Sequence, residues 1–96
     1  MPVYVIIKRK FKMNHPEKLL PLFSELREGA KVQEGYISTE TLQSIEDSTD
    51  YMVVSKWATA ENWKTWFASE ERRKIQGKVD SLIGERTFYE IFKPIT

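Results

Sequence analysis

The sequence predicts an α+β domain, a four-stranded antiparallel sheet with helices on one face. Three observations carry that prediction. Strand-like and helix-like segments follow one another as strand, helix, strand, strand, helix pair, strand, which is a split βαβ arrangement. The 96 residues suffice for one domain, spanning 1–96, and no more. A content of 41% hydrophobic and 30% charged residues belongs to a globular chain rather than a disordered one.

The elements follow from local pattern. Val3-Tyr4-Val5-Ile6-Ile7 is a β-branched and aromatic run that continues through Lys8-Arg9-Lys10-Phe11-Lys12, and it reads as one strand. Asn14-His15-Pro16 reads as a helix start with proline at the first helical position. Leu19, Leu22, Phe23, Leu26 and Ala30 then recur at helical spacing, with Pro21 expected to kink the early turns. Glu34-Gly35 closes the unit. Tyr36 to Ile45 and Tyr51 to Trp57 read as two strands joined by the polar turn Glu46–Asp50, an antiparallel hairpin. Thr59 suits the N-cap of a short helix carrying Trp63, Trp66 and Phe67. Ser69, followed by Glu70 and Glu71, opens a further helix with Ile75, Val79, Leu82 and Ile83, stopped by Gly84. Arg86 to Lys93 is the last strand.

Alternation along the strands carries a second message. Phe88 and Phe92 point one way while Tyr89 and Ile91 point the other, and Tyr51, Val53 and Trp57 oppose Met52 and Val54. A sheet with one wet face would be polar on that side. Helices cover only one face, so the other is expected to meet a second copy of the chain. A domain of this size buries only roughly 60–68% of its unfolded surface alone, which a homodimer would improve.

Composition excludes several function classes. With no cysteine, a disulfide framework, a thiolate metal site, an iron–sulfur cluster and a cysteine nucleophile all fall away. A single histidine argues against a His-based metal site, so neither metal nor cofactor is expected. His15 beside Pro16 suits a helix start better than catalysis. Fifteen Lys and Arg against fourteen Asp and Glu give a net charge of +1, too little to draw the chain to nucleic acid or anionic lipid. The basic run Lys8-Arg9-Lys10 splits between the strand's two faces and reads as a solvated edge, and no Gly-aromatic signature of an RNA-binding sheet is present. Neither a signal peptide nor a membrane span is visible, so a cytoplasmic protein is expected.

Chemistry concentrates in one segment. Trp57, Trp63 and Trp66 fall within ten residues, and Asn62 lies four before Trp66 on the same helical face. The tryptophans read first as core between helix and sheet. An amide beside an indole also suits the edge of an apolar pocket for a planar, oxygen-bearing ligand.

Val53-Val54-Ser55-Lys56-Trp57-Ala58-Thr59, Glu61-Asn62-Trp63-Lys64-Thr65-Trp66, Ser69-Glu70-Glu71-Arg72 and Glu34-Gly35-Tyr36 together resemble the antibiotic biosynthesis monooxygenase family over essentially the whole chain. The resemblance implies a ferredoxin-like subunit that pairs sheet-to-sheet into an α+β barrel. It also implies an activity from a varied set. Some members oxidise phenols or quinols with oxygen and without metal or flavin, others degrade haem, and others act on quinones or small signalling molecules. The haem-degrading branch uses a first-strand Asn, a helix Trp and a His iron ligand. Here Trp66 matches the Trp, but Gln76 stands near the His position and Val3–Lys12 holds no Asn. Haem degradation of that type is therefore not expected.

The cofactor-free branch asks the protein for an apolar pocket, orientation and a group that steadies an anion. On this resemblance Asn62 and Trp66 are the candidate catalytic residues. Trp63, Tyr36, Arg72 and Arg73 are candidates for holding a small aromatic ligand, the arginines by charge and Tyr36 as wall or acid/base. The bland alternatives are solvated helix charges for the arginines and a half-buried strand residue for Tyr36. A non-catalytic binding or sensing module for an aromatic ligand, and haem binding through another ligand, remain as rival functions.

Overall fold

The structure, a computed structural model, describes residues 2–11, 16–83 and 87–96. Its elements are β1 (Val3–Lys10), α1 (Pro16–Lys31), β2 (Tyr36–Gln43), β3 (Asp50–Trp57), α2 (Ala60–Ala68), α3 (Glu70–Ile83) and β4 (Phe88–Phe92). The four strands form one antiparallel sheet in the order β2-β3-β1-β4, with the helices on one face. The predicted α+β, ferredoxin-like architecture is thus observed.

Boundaries moved for local reasons. β2 ends at Gln43 rather than Ile45, because the Ser44 hydroxyl accepts the Glu46 and Asp47 amides (3.2 and 3.1 Å) and turns the chain. Asp47 closes the turn by accepting the Thr49 amide and hydroxyl at 2.9 and 2.6 Å. α1 runs as one helix through Pro21. Gly35 links α1 to β2 at φ +82°, a left-handed conformation that glycine adopts without steric cost. The expectations for Lys12, Asn14, His15, Gly84 and Arg86 lie outside the described residues.

β1 and β3 are the inner strands, and β1 is not an edge. The solvated-edge reading of Lys8-Arg9-Lys10 is therefore corrected. Lys8 and Lys10 are exposed, but Arg9 shares the parity of Val5 and Ile7 and is buried beneath the helices. The helix-covered face holds two clusters. Val5, Ile7, Ala30, Val53, Trp57, Trp63 and Trp66 make one. Phe11, Leu19, Phe23, Tyr51 and Val79 make the other.

The opposite face carries apolar residues interleaved with charged ones. Tyr4 pairs with Phe92, Lys8 with Phe88, Ile6 with Val54 and Leu42 with Met52, all on the side away from the helices. Phe88 and Phe92 are 60% and 49% exposed there, more than isolated strand aromatics need to be.

Candidate functional site

Trp57 ends β3 completely buried, and its indole N–H donates to the Ser55 hydroxyl at 2.7 Å. Ser55 in turn lies 3.3 Å from the Thr39 hydroxyl of β2, so the buried polar atoms are chained together. After the strand, Thr59 caps α2: its hydroxyl accepts the Asn62 amide at 3.1 Å and donates to the Asn62 side-chain oxygen at 2.7 Å. The cap fixes α2 so that Trp63 and Trp66 both turn inward. Trp63 meets Trp57 edge-on at 5.9 Å. Trp66 presses so closely on α1 that a Cβ on Gly29 would stand 2.7 Å from its ring. Ser69 then accepts the Arg72 amide at 3.2 Å and starts α3, whose inner face carries Arg72 and Gln76 one turn apart.

These elements enclose a cavity of about 40 Å³ between α1 and the sheet. Ile7, Arg9, Val53, Ser55 and Trp57 of the sheet form its floor. Trp63, Trp66 and Arg72 wall one side, with Phe23 and Ala30 of α1 on the other. The half-buried Leu26 and Thr39 and the exposed Arg27 and Thr41 mark the mouth, at the free edge of β2. One water needs roughly 10–15 Å³ on this scale and a cavity that takes benzene measures roughly 150 Å³, so the cavity as it stands suits a few waters or dioxygen. An aromatic ring enters only as the mouth side chains swing outward.

Two cations face this space. The Arg72 guanidinium, 4% exposed, donates to the Tyr89 hydroxyl at 2.6 Å and lies against the rings of Phe67 (4.5 Å), Tyr89 (5.1 Å) and Trp63 (5.6 Å). Arg9, 3% exposed, donates to Gln76 Oε1 at 2.9 Å and sits 5.4 Å from the Phe23 ring centre. Burial pushes the Arg9 guanidinium down to about 10; Tyr89 opposes that shift and neighbouring Arg72 adds to it. It remains charged at neutral pH. Among the described residues no group of His, Cys, Asp and Glu is placed to hold a metal ion.

The candidate residues separate into two sets. Trp63, Trp66 and Arg72 meet on the cavity. Tyr36 packs edge-on against Trp57 at 5.5 Å and does not line it. Asn62 is spent on the α2 cap and on the Gly35 backbone, where an added Cβ would come within 2.3 Å of its side chain. Asn62 and Trp66 share a helix but not a surroundings. Arg73 is exposed. Sequence reasoning missed Arg9, Gln76 and Ser55. The signal for Arg9 was available in its parity with Val5, Ile7 and Phe11, and that for Gln76 in its spacing of four from Arg72.

The antiparallel α+β sheet thus carries a tryptophan-walled, arginine-bearing cavity under its helices. The chain belongs to the antibiotic biosynthesis monooxygenase family, whose model matches residues 2–78. Solved structures agree in fold. The cofactor-independent oxygenase SnoaB from Streptomyces nogalater superposes with a TM-score of 0.88 at 12% identity, over 99% of this chain and 94% of that one. A conserved protein from Methanosarcina mazei gives 0.84 at 20% identity, over 97% and 92%. Rv0793 from Mycobacterium tuberculosis gives 0.81 at 14% identity, over 100% and 97%. No curated protein matches the sequence significantly.

Proposed function

We propose that the protein is a cytoplasmic, homodimeric monooxygenase that oxidises a small aromatic phenol or quinol with molecular oxygen, using no bound cofactor. One observation supports this above the others: in a chain of this family, Trp63, Trp66 and Arg72 converge on a single apolar cavity. A deprotonated electron-rich phenol reduces oxygen itself. In a net oxidation of a ring CH₂ to C=O, one oxygen atom enters the product and the other leaves as water with the two hydrogens. The protein then has to orient the ring, exclude bulk water and stabilise negative charge. Trp66 and Trp63 form the wall, Arg72 supplies charge, and Asn62 acts through the helix cap that sets both tryptophans. Tyr36 backs Trp57, and Arg73 stands outside the pocket.

Oxygen uptake with a panel of hydroquinones and anthrones tests the reading. Trp66→Phe is expected to lower kcat/KM about tenfold or more, and Asn62→Ala to lower it less. Equal rates in wild type and both variants would remove the site. The exposed apolar residues of the uncovered sheet face support the dimer. Light scattering should give twice the 11.3 kDa of one chain, and a monomer at micromolar concentration defeats that part of the proposal.

A second reading has its own support. Among the described residues no carboxylate or imidazole lines the cavity, so they offer it no side-chain base of the usual kind. A non-catalytic module that binds an aromatic ligand fits this equally; saturable quenching of tryptophan fluorescence without turnover is its signature. Added hemin should leave the Soret band unshifted under either reading.

A further inference from the structure

We infer that the cavity receives its guest as an aromatic oxyanion, a phenolate or carboxylate whose negative oxygen is taken by Arg9 and Arg72 together. The inference rests on the reading of this cavity as the substrate site, and it narrows the substrate to compounds already ionised in solution.

Both guanidiniums are more than nine-tenths buried, and both line the cavity. Neither meets a carboxylate among the described residues. Arg9 donates to the Gln76 side-chain oxygen and also interacts with the Tyr89 hydroxyl, which accepts from Arg72 at 2.6 Å. A guanidinium carries five N–H donors, and the Arg9 Nε is wholly buried with no partner. Aromatic faces hold the two planes in place, Phe23 under Arg9 and Phe67 under Arg72, while a ring's face takes up charge but leaves the hydrogen-bonding edges free. Asp80 is exposed; its charge favours the Arg9 cation, and it accepts from the Gln76 amide at 2.8 Å. Buried ions are ordinarily paired. Here two like charges share one apolar space, and an anion is the group that completes them.

Two features of the site make sense on this account. Gln76 orients Arg9 without neutralising it, which a glutamate in the same place would do. The described lining residues also include no general base, and a substrate that arrives ionised needs none. The planar walls of Trp57, Trp63 and Trp66 then select the aromatic body, and the arginines select the charge.

Calorimetric binding on the intact chain decides the matter. The probes are 2,4-dinitro-1-naphtholate against its methyl ether, and 1-naphthoate against its methyl ester. At least one anion is expected to bind 30-fold or more tighter than its neutral partner, and which pair discriminates identifies phenolate or carboxylate. Arg9→Gln and Arg72→Gln should reduce that preference below about threefold. Gln76→Glu, made together with Asp80→Asn so that the new carboxylate still meets a donor, gives Arg9 an internal counter-ion and should lower anion affinity about tenfold, with a much smaller effect on the neutral partner. Equal binding of anion and neutral partner, absence of anion binding at millimolar concentration, or a preference that survives in this double variant overturns the inference. Oxygen uptake in the same samples separates the two proposals. Charge-selective binding without uptake keeps the anion site and removes the oxygenase, whereas uptake with neutral quinols and no charge selectivity does the reverse.

Discussion

The two clusters beneath the helices draw on similar residues and have different characters. At one end Phe11, Phe23 and Tyr51 meet one another at 5.4–6.0 Å, two of the three contacts edge-on, and Leu19 and Val79 are almost wholly enclosed. At the other, Trp57, Trp63 and Trp66 surround a cavity with two arginines on its lining. The first end is filled in the way that maximises dispersion and apolar burial. The second keeps empty space and uncompensated charge, both of which cost stability and neither of which a packed core requires. Arg9 stands at the boundary, stacked on Phe23 of the closed end and facing the cavity of the open one. The division teaches that one sheet face holds a filled half and a hollow, charged half, separated along the strands rather than across the sheet.

That division breaks if damage at the closed end reaches the ligand. Leu19→Ala empties a fully buried position and should cost about 2–5 kcal/mol in urea unfolding. Naphtholate affinity, measured where the variant is folded, should stay within twofold of wild type. A substitution at the open end should do the opposite. Gly29→Ala improves helix propensity by roughly 1 kcal/mol, but its Cβ would stand 2.7 Å from the Trp66 ring and 3.1 Å from a Glu71 carboxylate oxygen. Overpacking of this kind costs about 1–3 kcal/mol, so a net loss near 1 kcal/mol is expected. The Trp66 ring is displaced toward the cavity, and ligand affinity should fall more than tenfold.

The third experiment sharpens the claim that the open end trades stability for charge. Arg9→Met together with Gln76→Leu removes a buried ion and its neutral partner at once. Stability should be unchanged or rise by up to about 2 kcal/mol, because a buried charge gives way to apolar packing. Anion binding should be lost. A drop of more than about 1 kcal/mol in urea unfolding would mean that Arg9 is structural. The smallest effect lies in the β2–β3 turn, which borders the closed end and stands away from the cavity. The Thr49 hydroxyl and amide, assisted by Lys10 at 3.7 Å, hold the Asp47 carboxyl below its ordinary 3.8. Its folded form favours the carboxylate, so this contribution is present above that value and is lost as pH falls through the lower folded one. In Asp47→Asn the loss of stability on acidification below pH 4 should be shallower, with the cavity unaffected.

The sequence was most legible where periodicity is strict. Thr59 declares the start of α2, and the parities of β3 and β4 group Trp57 with Val53 and Tyr89 with Ile91, as the observed pairing has them. The shared helical face of Asn62 and Trp66 was legible too, yet it misled about surroundings. A helix lays both residues to one side, but the neighbouring α1–β2 turn takes Asn62 through Gly35 while α1 itself takes Trp66 through Gly29. Arg9 was hidden differently. Flanked by Lys8 and Lys10, it looks like part of a solvated charge run; its parity with Val5 and Ile7 puts it on their face without saying whether that end of the face is covered. That depends on β1 being an inner strand, which is a matter of long-range pairing with β3 and β4.

Sequence alone therefore determined the element order, the apolar residues on both faces of the sheet and the tryptophan-rich segment on which the site is built. These depend on neighbours along the chain, through hydrogen-bonding period and capping chemistry. Tertiary structure decided which of the charged residues are buried, which polar groups are consumed in caps, and where space is left unfilled. Those properties belong to no single segment, because burial and electrostatic environment arise only when β1, α1 and α3 close on one another. The meeting of Arg9, Arg72 and Gln76, separated by up to 67 positions in sequence, is their product.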